Sequence, residues 1–205
     1  MRWFLSLIVS ISQPYVRPII RGKAGAGTEF GAKVAISVVD GYTFVEKISW
    51  DNFNEGNTLQ ESVESYAKRF GYYPEAVLAD TIYRTKGNRN YCKDRGIRLS
   101  GPRLGRPTKE KNQEEEAIAK ADFGKRNEVE GKFGEGKRCY GLGRIMAHRK
   151  DTSECVISMQ FIAMNLEHVM RVLCCTFLEI LQKSRKKAVL KIKIQKETAA
   201  IMVAA

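Results

Sequence analysis

Carboxylates that converge can hold divalent cations about 3.5–4 Å apart, one activating an attacking oxygen and one stabilising a leaving oxygen. Hard oxygen ligands hold Mg²⁺ or Mn²⁺ best. Asp80 is placed like such a ligand, at the carboxyl end of the apolar run Ala76-Val77-Leu78-Ala79, where a rigid strand would open onto a crevice. A turn-capping role for Asp80 fits the same position equally well. The segment Arg126-x3-Glu130-x6-Lys137 shifts the weighing. On a helix, Glu130 lies about 40° and Lys137 about 20° round from Arg126, with Phe123 at about 60°. One carboxylate and two cations then share one narrow stripe, Glu130 to coordinate a cation, Arg126 and Lys137 to hold phosphates without reading bases. Glu128 lies about 160° from Glu130, so only one of them faces that stripe. An ordinary amphipathic surface helix explains the spacing as well, and Gly131, Gly134 and Gly136 each cost such a helix on the order of 1 kcal/mol relative to Ala. They would either permit a close approach of DNA or of another helix, or end the helix early.

The elements that must position these groups are legible in outline. Leu5 to Ile11 reads as a buried strand ended by Gln13-Pro14, and Gly22 to Gly27 as a glycine-rich basic loop. Ala32 to Val39 and Tyr42 to Trp50 are β-rich runs separated by Asp40-Gly41, a dipeptide suited to a tight hairpin turn. Asn57-Thr58 can cap a helix whose apolar positions Leu59, Val63, Tyr66, Ala67 and Phe70 fall at helical spacing, with Gly71 and Pro74 ending it. Ala76 to Ala79 is the strand that delivers Asp80. Arg84 to Pro107 reads as a polar, basic connection, and Thr108 to Lys120 as a solvated helix or loop. Val129 and Phe133 would seat the motif helix on the sheet. Asp151-Thr152-Ser153-Glu154 has capping-box spacing and opens a long helix whose nearly all-round hydrophobicity implies burial or a missing partner.

The composition favours a folded chain with a polyanionic partner. Of 205 residues, 43% are hydrophobic, enough for a continuous core, and 35 Lys and Arg against 23 acids leave a net charge of +12. Half of that excess falls in Lys183 to Ala205, which reads as a basic, disordered tail after a domain spanning residues 1–182. Much of the rest forms a belt at Arg84, Lys86, Arg89, Lys93, Arg95, Arg98, Arg103 and Arg106. Five scattered cysteines with no C-x-x-C pair indicate neither a disulfide framework nor a zinc site and fit a reducing cytoplasm. His148 and His168 are isolated, and Trp50 and Tyr83 read as packing residues. Met1 to Val9 resembles a short signal-peptide core, but no small-residue cleavage site follows. No uncharged apolar run reaches the length of about 18 residues needed to span a bilayer.

The motif resembles that of the DDE transposases of bacterial insertion sequences, in the group carrying Tyr-x2-Arg-x3-Glu-x6-Lys. Arg126, Glu130 and Lys137 keep both spacings, and Phe123 stands where Tyr is expected. Val77-Leu78-Ala79-Asp80-x2-Tyr83 is similar to the second-aspartate motif, and Arg17-Pro18-Ile19-Ile20-Arg21-Gly22-Lys23, Glu29-Phe30-Gly31-Ala32-Lys33 and Leu99-Ser100-Gly101-Pro102 read like the same family. The resemblance spans about Ile8 to Leu173. It implies an α/β, ribonuclease H-like mixed sheet flanked by helices, and Mg²⁺- or Mn²⁺-dependent cleavage and strand transfer by Asp80, Glu130 and a third acid. DNA would be held by Arg126, Lys137, Arg84, Arg103 and Arg106. The expected partners are the element's terminal repeats and target DNA, with a homodimer when complete, no membrane, and a nucleoid-associated place in the bacterial cytoplasm. The family's first aspartate is missing from Leu7 to Gln13. Glu55 could take its place, Asp40 less readily, or the chain begins inside the domain as an amino-terminally truncated copy. Two functions therefore stay open, an active strand-transferase and a remnant that binds DNA without cutting it. A membrane-surface protein anchored by the Cys155 to Leu181 helix is a third.

Overall fold

The computed structural model describes residues 10–23, 26–101 and 113–203. The expected strand over Leu5 to Ile11 lies mostly outside them, and Ser10 and Ile11 are not in a strand. The first pairing is instead an antiparallel ladder of β1 (Pro18–Lys23) and β2 (Ala26–Phe30), with Pro18 opposite Phe30 and Ile19 opposite Glu29. This ladder occupies most of the segment expected as a glycine-rich loop.

β3 (Lys33–Val39) and β4 (Tyr42–Ser49) form the expected hairpin. Its turn works because Asp40 and Gly41 both take left-handed backbone angles, φ 50° and 82°, which match the twist of paired strands. Asn54 then caps a 3-10 turn, Glu55–Thr58, accepting from the Gly56 N–H at 2.9 Å. That turn leads into α1 (Leu59–Phe70), whose N-cap is Thr58 as expected, without a side-chain cap bond, while Asn54 caps the turn. Gly71, at φ 82°, ends α1 by donating its N–H to Ala67 O.

The strand before Asp80 is short. β5 (Ala76–Val77) pairs in parallel with β6 (Arg98–Leu99), extended by Arg98 N–H to Glu75 O and Ser100 N–H to Val77 O, both 2.9 Å. A parallel pair needs a crossover. It is supplied by a second 3-10 turn, Thr81–Tyr83, and by α2 (Lys86–Asp94). The reading of Arg84 to Pro107 as a connection is corrected here, because α2 and β6 lie within its first two thirds. α3 (Gln113–Cys139) runs through Gly131, Gly134 and Gly136 without ending early, and α4 is Lys150–Val203.

The class is thus α/β, and the described strands form three separate two-stranded ladders. Two compact units divide the chain, Met1–Met164 and Asn165–Ala205. The first unit has two cores. Val16, Trp50, Ile157, Phe161 and Met164 are buried together, with one face of the β3–β4 hairpin and Phe133 packed against them; Leu59, Val63, Cys92 and Ile97 form the second, with Val77, Tyr83, Tyr91 and Leu99 around them. Trp50 is a packing residue, bonding Glu154 Oε1 at 2.9 Å and meeting Tyr15 edge-on. At the start of α4 the capping-box residue Ser153 is fully buried, with its hydroxyl 3.1 Å from Ala147 O and 2.6 Å from the Tyr15 hydroxyl.

The second unit is helical, and Leu166, Met170, Leu173 and Phe177 are all about 60% exposed. The all-round hydrophobicity of α4 therefore means burial for Ile157, Phe161 and Met164, and an exposed apolar surface from Leu166 to Leu181. Over Lys150–Arg185 the helix is long and apolar enough to cross a membrane by length and composition, at mean hydropathy 1.4.

Candidate active site

Asp80 is placed by the short parallel ladder. The N–H of Ala79 bonds the buried Ser100 Oγ at 3.3 Å, and the Asp80 carbonyl accepts the Tyr83 N–H at 3.0 Å, closing the second 3-10 turn. The ladder thus holds the residue before Asp80 and the turn holds the residue itself, leaving the carboxylate 63% exposed.

α3 is fixed against this platform by two ion pairs one helical turn apart. Arg98 on β6 grips Asp122 with both guanidinium nitrogens, at 2.5 and 3.0 Å. Arg126 Nε lies 3.3 Å from Asp80 Oδ1, with its guanidinium 5.1 Å from the Phe123 ring centre. Asp122, Arg126 and Glu130 recur every four residues, so they step down one face about 40° apart. Two of the three meet β6 and Asp80, and Glu130, exposed, stands one turn further along the same face. The helix spacing therefore does bring the Asp80 motif and the Arg126-Glu130-Lys137 motif together, through Arg126. Lys137 is exposed, its stem beside Gly143.

Burial beside the same stripe, further along α3, holds the helix together through its glycines. Phe133 meets Phe161 edge-on, ring centres 6.2 Å apart, and Val129 is half-buried. At Gly136 a Cβ would stand 3.0 Å from a Leu142 methyl and 3.4 Å from Met164 Sδ, so this glycine serves helix packing.

Glu55 sits in the first 3-10 turn and pairs with Lys33 Nζ at 3.1 Å, the same ammonium that donates to Phe53 O at 2.6 Å. Its relation to Asp80 is visible at Tyr83. Burial pushes the Tyr83 phenol above its usual value, and the charges of Glu55 and then Asp80 push it the same way. Both charges therefore act on one phenol. Asp40 takes its hairpin role. Among the described residues, no three of His, Cys, Asp and Glu gather closely enough to hold a metal ion. Asp80 offers the hard oxygen that Mg²⁺ or Mn²⁺ prefers, but a guanidinium faces it, and the described acids do not complete a cation site.

The basic belt is only partly available to a polyanion. Arg98 is committed to Asp122, whose carboxyl it holds below the usual carboxylate value. Arg95 pairs with Glu64 at 3.1 Å and lies 3.8 Å over the Tyr91 ring. Arg84 is half-buried and lies against Gly101, whose φ of 127° suits glycine alone. Lys86 and Lys93 are exposed, and Arg103 and Arg106 lie outside the described residues.

Three residues that position the site were not singled out from sequence: Ser100, Asp122 and Asn88. For two of them a signal existed. Asp122 is four residues before Arg126, and Thr85-x2-Asn88 has the spacing of a capped helix start, which the structure bears out with Asn88 N–H to Thr85 Oγ1 at 3.2 Å.

Residues 77–167 match the family model of the transposase DDE domain. No curated protein and no solved structure matches the chain.

Proposed function

We propose, from the premise that residues 77–167 belong to the transposase DDE domain family, that the Asp80 platform and the Glu130 face of α3 cleave and rejoin DNA strands in insertion-sequence transposition. One observation carries this reading. The Arg126–Asp80 pair joins the two motifs that lie far apart in sequence, and leaves Glu130 one turn away on the same helix face. The parts this chain's own side chains play follow from their chemistry. Arg126 and Lys137 hold phosphate oxygens and fix the strand without reading its bases. Asp80 and Glu130 would provide the negative charge for a divalent cation, with Glu55 as the third acid. The fold would then be a ribonuclease H-like sheet, the partners the element's terminal repeats and target DNA, and the complete protein a homodimer working on the bacterial nucleoid without a membrane.

The test is nicking of supercoiled plasmid in Mg²⁺ buffer. The wild-type chain nicks, and Glu130→Gln and Asp80→Asn lower the rate by about a hundredfold, the order lost when one charge-stabilising group is removed from a transition state. Undiminished nicking by Glu130→Gln sinks the assignment.

A second reading, a domain that binds DNA without cutting it, is favoured by the incomplete gathering of acids around Asp80. It gives no nicking at any Mg²⁺ concentration, together with DNA binding that weakens steeply from about 50 to about 200 mM salt as counterions are released. A membrane anchor in α4 would instead carry the chain upward with vesicles in a liposome flotation gradient.

A further inference from the structure

The turn that carries Glu55 and the turn that Asp80 opens are packed backbone against backbone, and one buried side chain ties them. Asn88, 3% exposed, donates its amide to Gly56 O at 2.6 Å and to Tyr83 O at 2.8 Å. Both amide hydrogens are thereby used. Its carbonyl oxygen accepts from Gln60 Nε2 at 3.2 Å, which fixes which way the amide faces. The contact between the turns leaves no space for a side chain at position 56, where a Cβ would stand 2.6 Å from Ile82 O and 3.3 Å from Asn54 Oδ1.

We propose that Asn88 is a positioning residue for Asp80, clamping the second 3-10 turn to the first, with Gly56 supplying the room for the clamp to close. Tyr83, which Asn88 grips, is the last residue of the turn whose first bond is Tyr83 N–H to Asp80 O. Holding the Tyr83 carbonyl therefore holds the carboxylate's backbone. Through Gly56 the same amide sets the distance of Glu55's turn from Asp80's. The importance of this placement for chemistry rests on the assignment of Asp80 as a site acid in the function proposed above. The clamp itself does not. A buried amide with both donors and its acceptor matched specifies one arrangement, because any other leaves polar atoms unpaired.

Native-state hydrogen exchange on the full chain tests the clamp without DNA. The reporters are the amides of Gly56, Asn57, Tyr83 and Arg84, which close the two turns. Asn88→Asp keeps the shape but turns an oxygen toward two carbonyls, and should speed exchange at those amides by roughly ten- to a hundredfold, leaving the β3–β4 amides unchanged. Asn88→Ser, which keeps one donor, gives a smaller change at the same amides and serves if Asn88→Asp does not fold. Gly56→Ala reproduces the Asn88→Asp pattern, and Gln60→Ala, which strands only the Asn88 acceptor, gives a smaller change at the same amides. Unchanged exchange at the turns overturns the proposal, and so does acceleration shared equally with the β3–β4 hairpin, which marks general destabilisation. In plasmid nicking the Asn88 variants should lower kcat and leave KM for plasmid unaltered. A wild type that does not nick defeats the proposed function, while the exchange pattern still decides the clamp.

Discussion

Removing the Arg98–Asp122 pair tests how α3 is held to the Asp80 platform. The pair is bidentate, at 2.5 and 3.0 Å, with Arg98 47% and Asp122 14% exposed at the side chain. A fully exposed ion pair contributes about 0–1 kcal/mol, and a hydrogen bond to a charged group about 1.5–3 kcal/mol when shielded. With one partner half in water, the coupling should fall at about 1–2 kcal/mol. Arg98→Ala alone should cost about 2 kcal/mol, since it strands a largely buried carboxylate. Urea unfolding of wild type, Arg98→Ala, Asp122→Ala and the double variant gives the coupling directly. The pH dependence fixes its origin. Asp122's carboxyl lies below its ordinary 3.8, first through the hydrogen bonds from Arg98 and then through the Arg98 charge, with desolvation opposing. A folded value below the unfolded one means the stabilisation is fully present above 3.8 and is lost as pH falls through the depressed folded value. The coupling should therefore be level at neutral pH and shrink below 3.8. A coupling under about 0.5 kcal/mol at neutral pH, or one that grows on acidification, refutes the account of how α3 is anchored.

Two further outcomes follow from contrasts in burial. Phe161→Ala, at a position 1% exposed and packed edge-on against Phe133, should cost about 3–5 kcal/mol by urea unfolding, whereas Leu173→Ala, 59% exposed, should stay within about 0.5 kcal/mol; equal costs would mean that Phe161 is not a core residue. Arg126→Ala breaks a pair at 3.3 Å whose partners are 32% and 63% exposed, so stability should change by less than about 1 kcal/mol. In a fluorescence-anisotropy salt titration with duplex DNA, the same variant should lower the log–log slope by about one, and an unchanged slope removes Arg126 from the phosphate contacts.

What the sequence made legible was mostly local. The β3–β4 hairpin is encoded in Asp40-Gly41, because the left-handed angles of its turn depend on those two residues alone. α1 is likewise bounded by its own apolar spacing and by Gly71. α2 shows no apolar periodicity to read, because of its nine residues only Tyr91 and Cys92 are apolar; beside the burial of Cys92, it is held by the Asn88 amide and the stack of Arg95 on Tyr91. The β1–β2 ladder was hidden by glycines that read as loop. At the site, the stripe of Arg126 and Glu130 could be drawn from helix geometry, whereas the pairing of Arg126 with Asp80 is visible only in the folded chain. That Arg98 and Arg95 would be bound to acids could not be drawn, since Asp122 and Glu64 lie on different helices and only the folded chain brings them near.

The β5–α2–β6 crossover has a consequence for the order in which the chain acquires its shape. Its pairings run from Ala76 to Leu99, and the bond that adds α3 joins residues 24 apart. The contacts that close the other core reach much further, 104 residues from Trp50 to Glu154 and 138 from Tyr15 to Ser153. Short loops close at small entropic cost, and domains fold from the amino terminus as synthesis proceeds. A ribosome that has released residues up to Arg126 has therefore released everything the Asp80 platform needs, before any of α4 exists to bury Trp50.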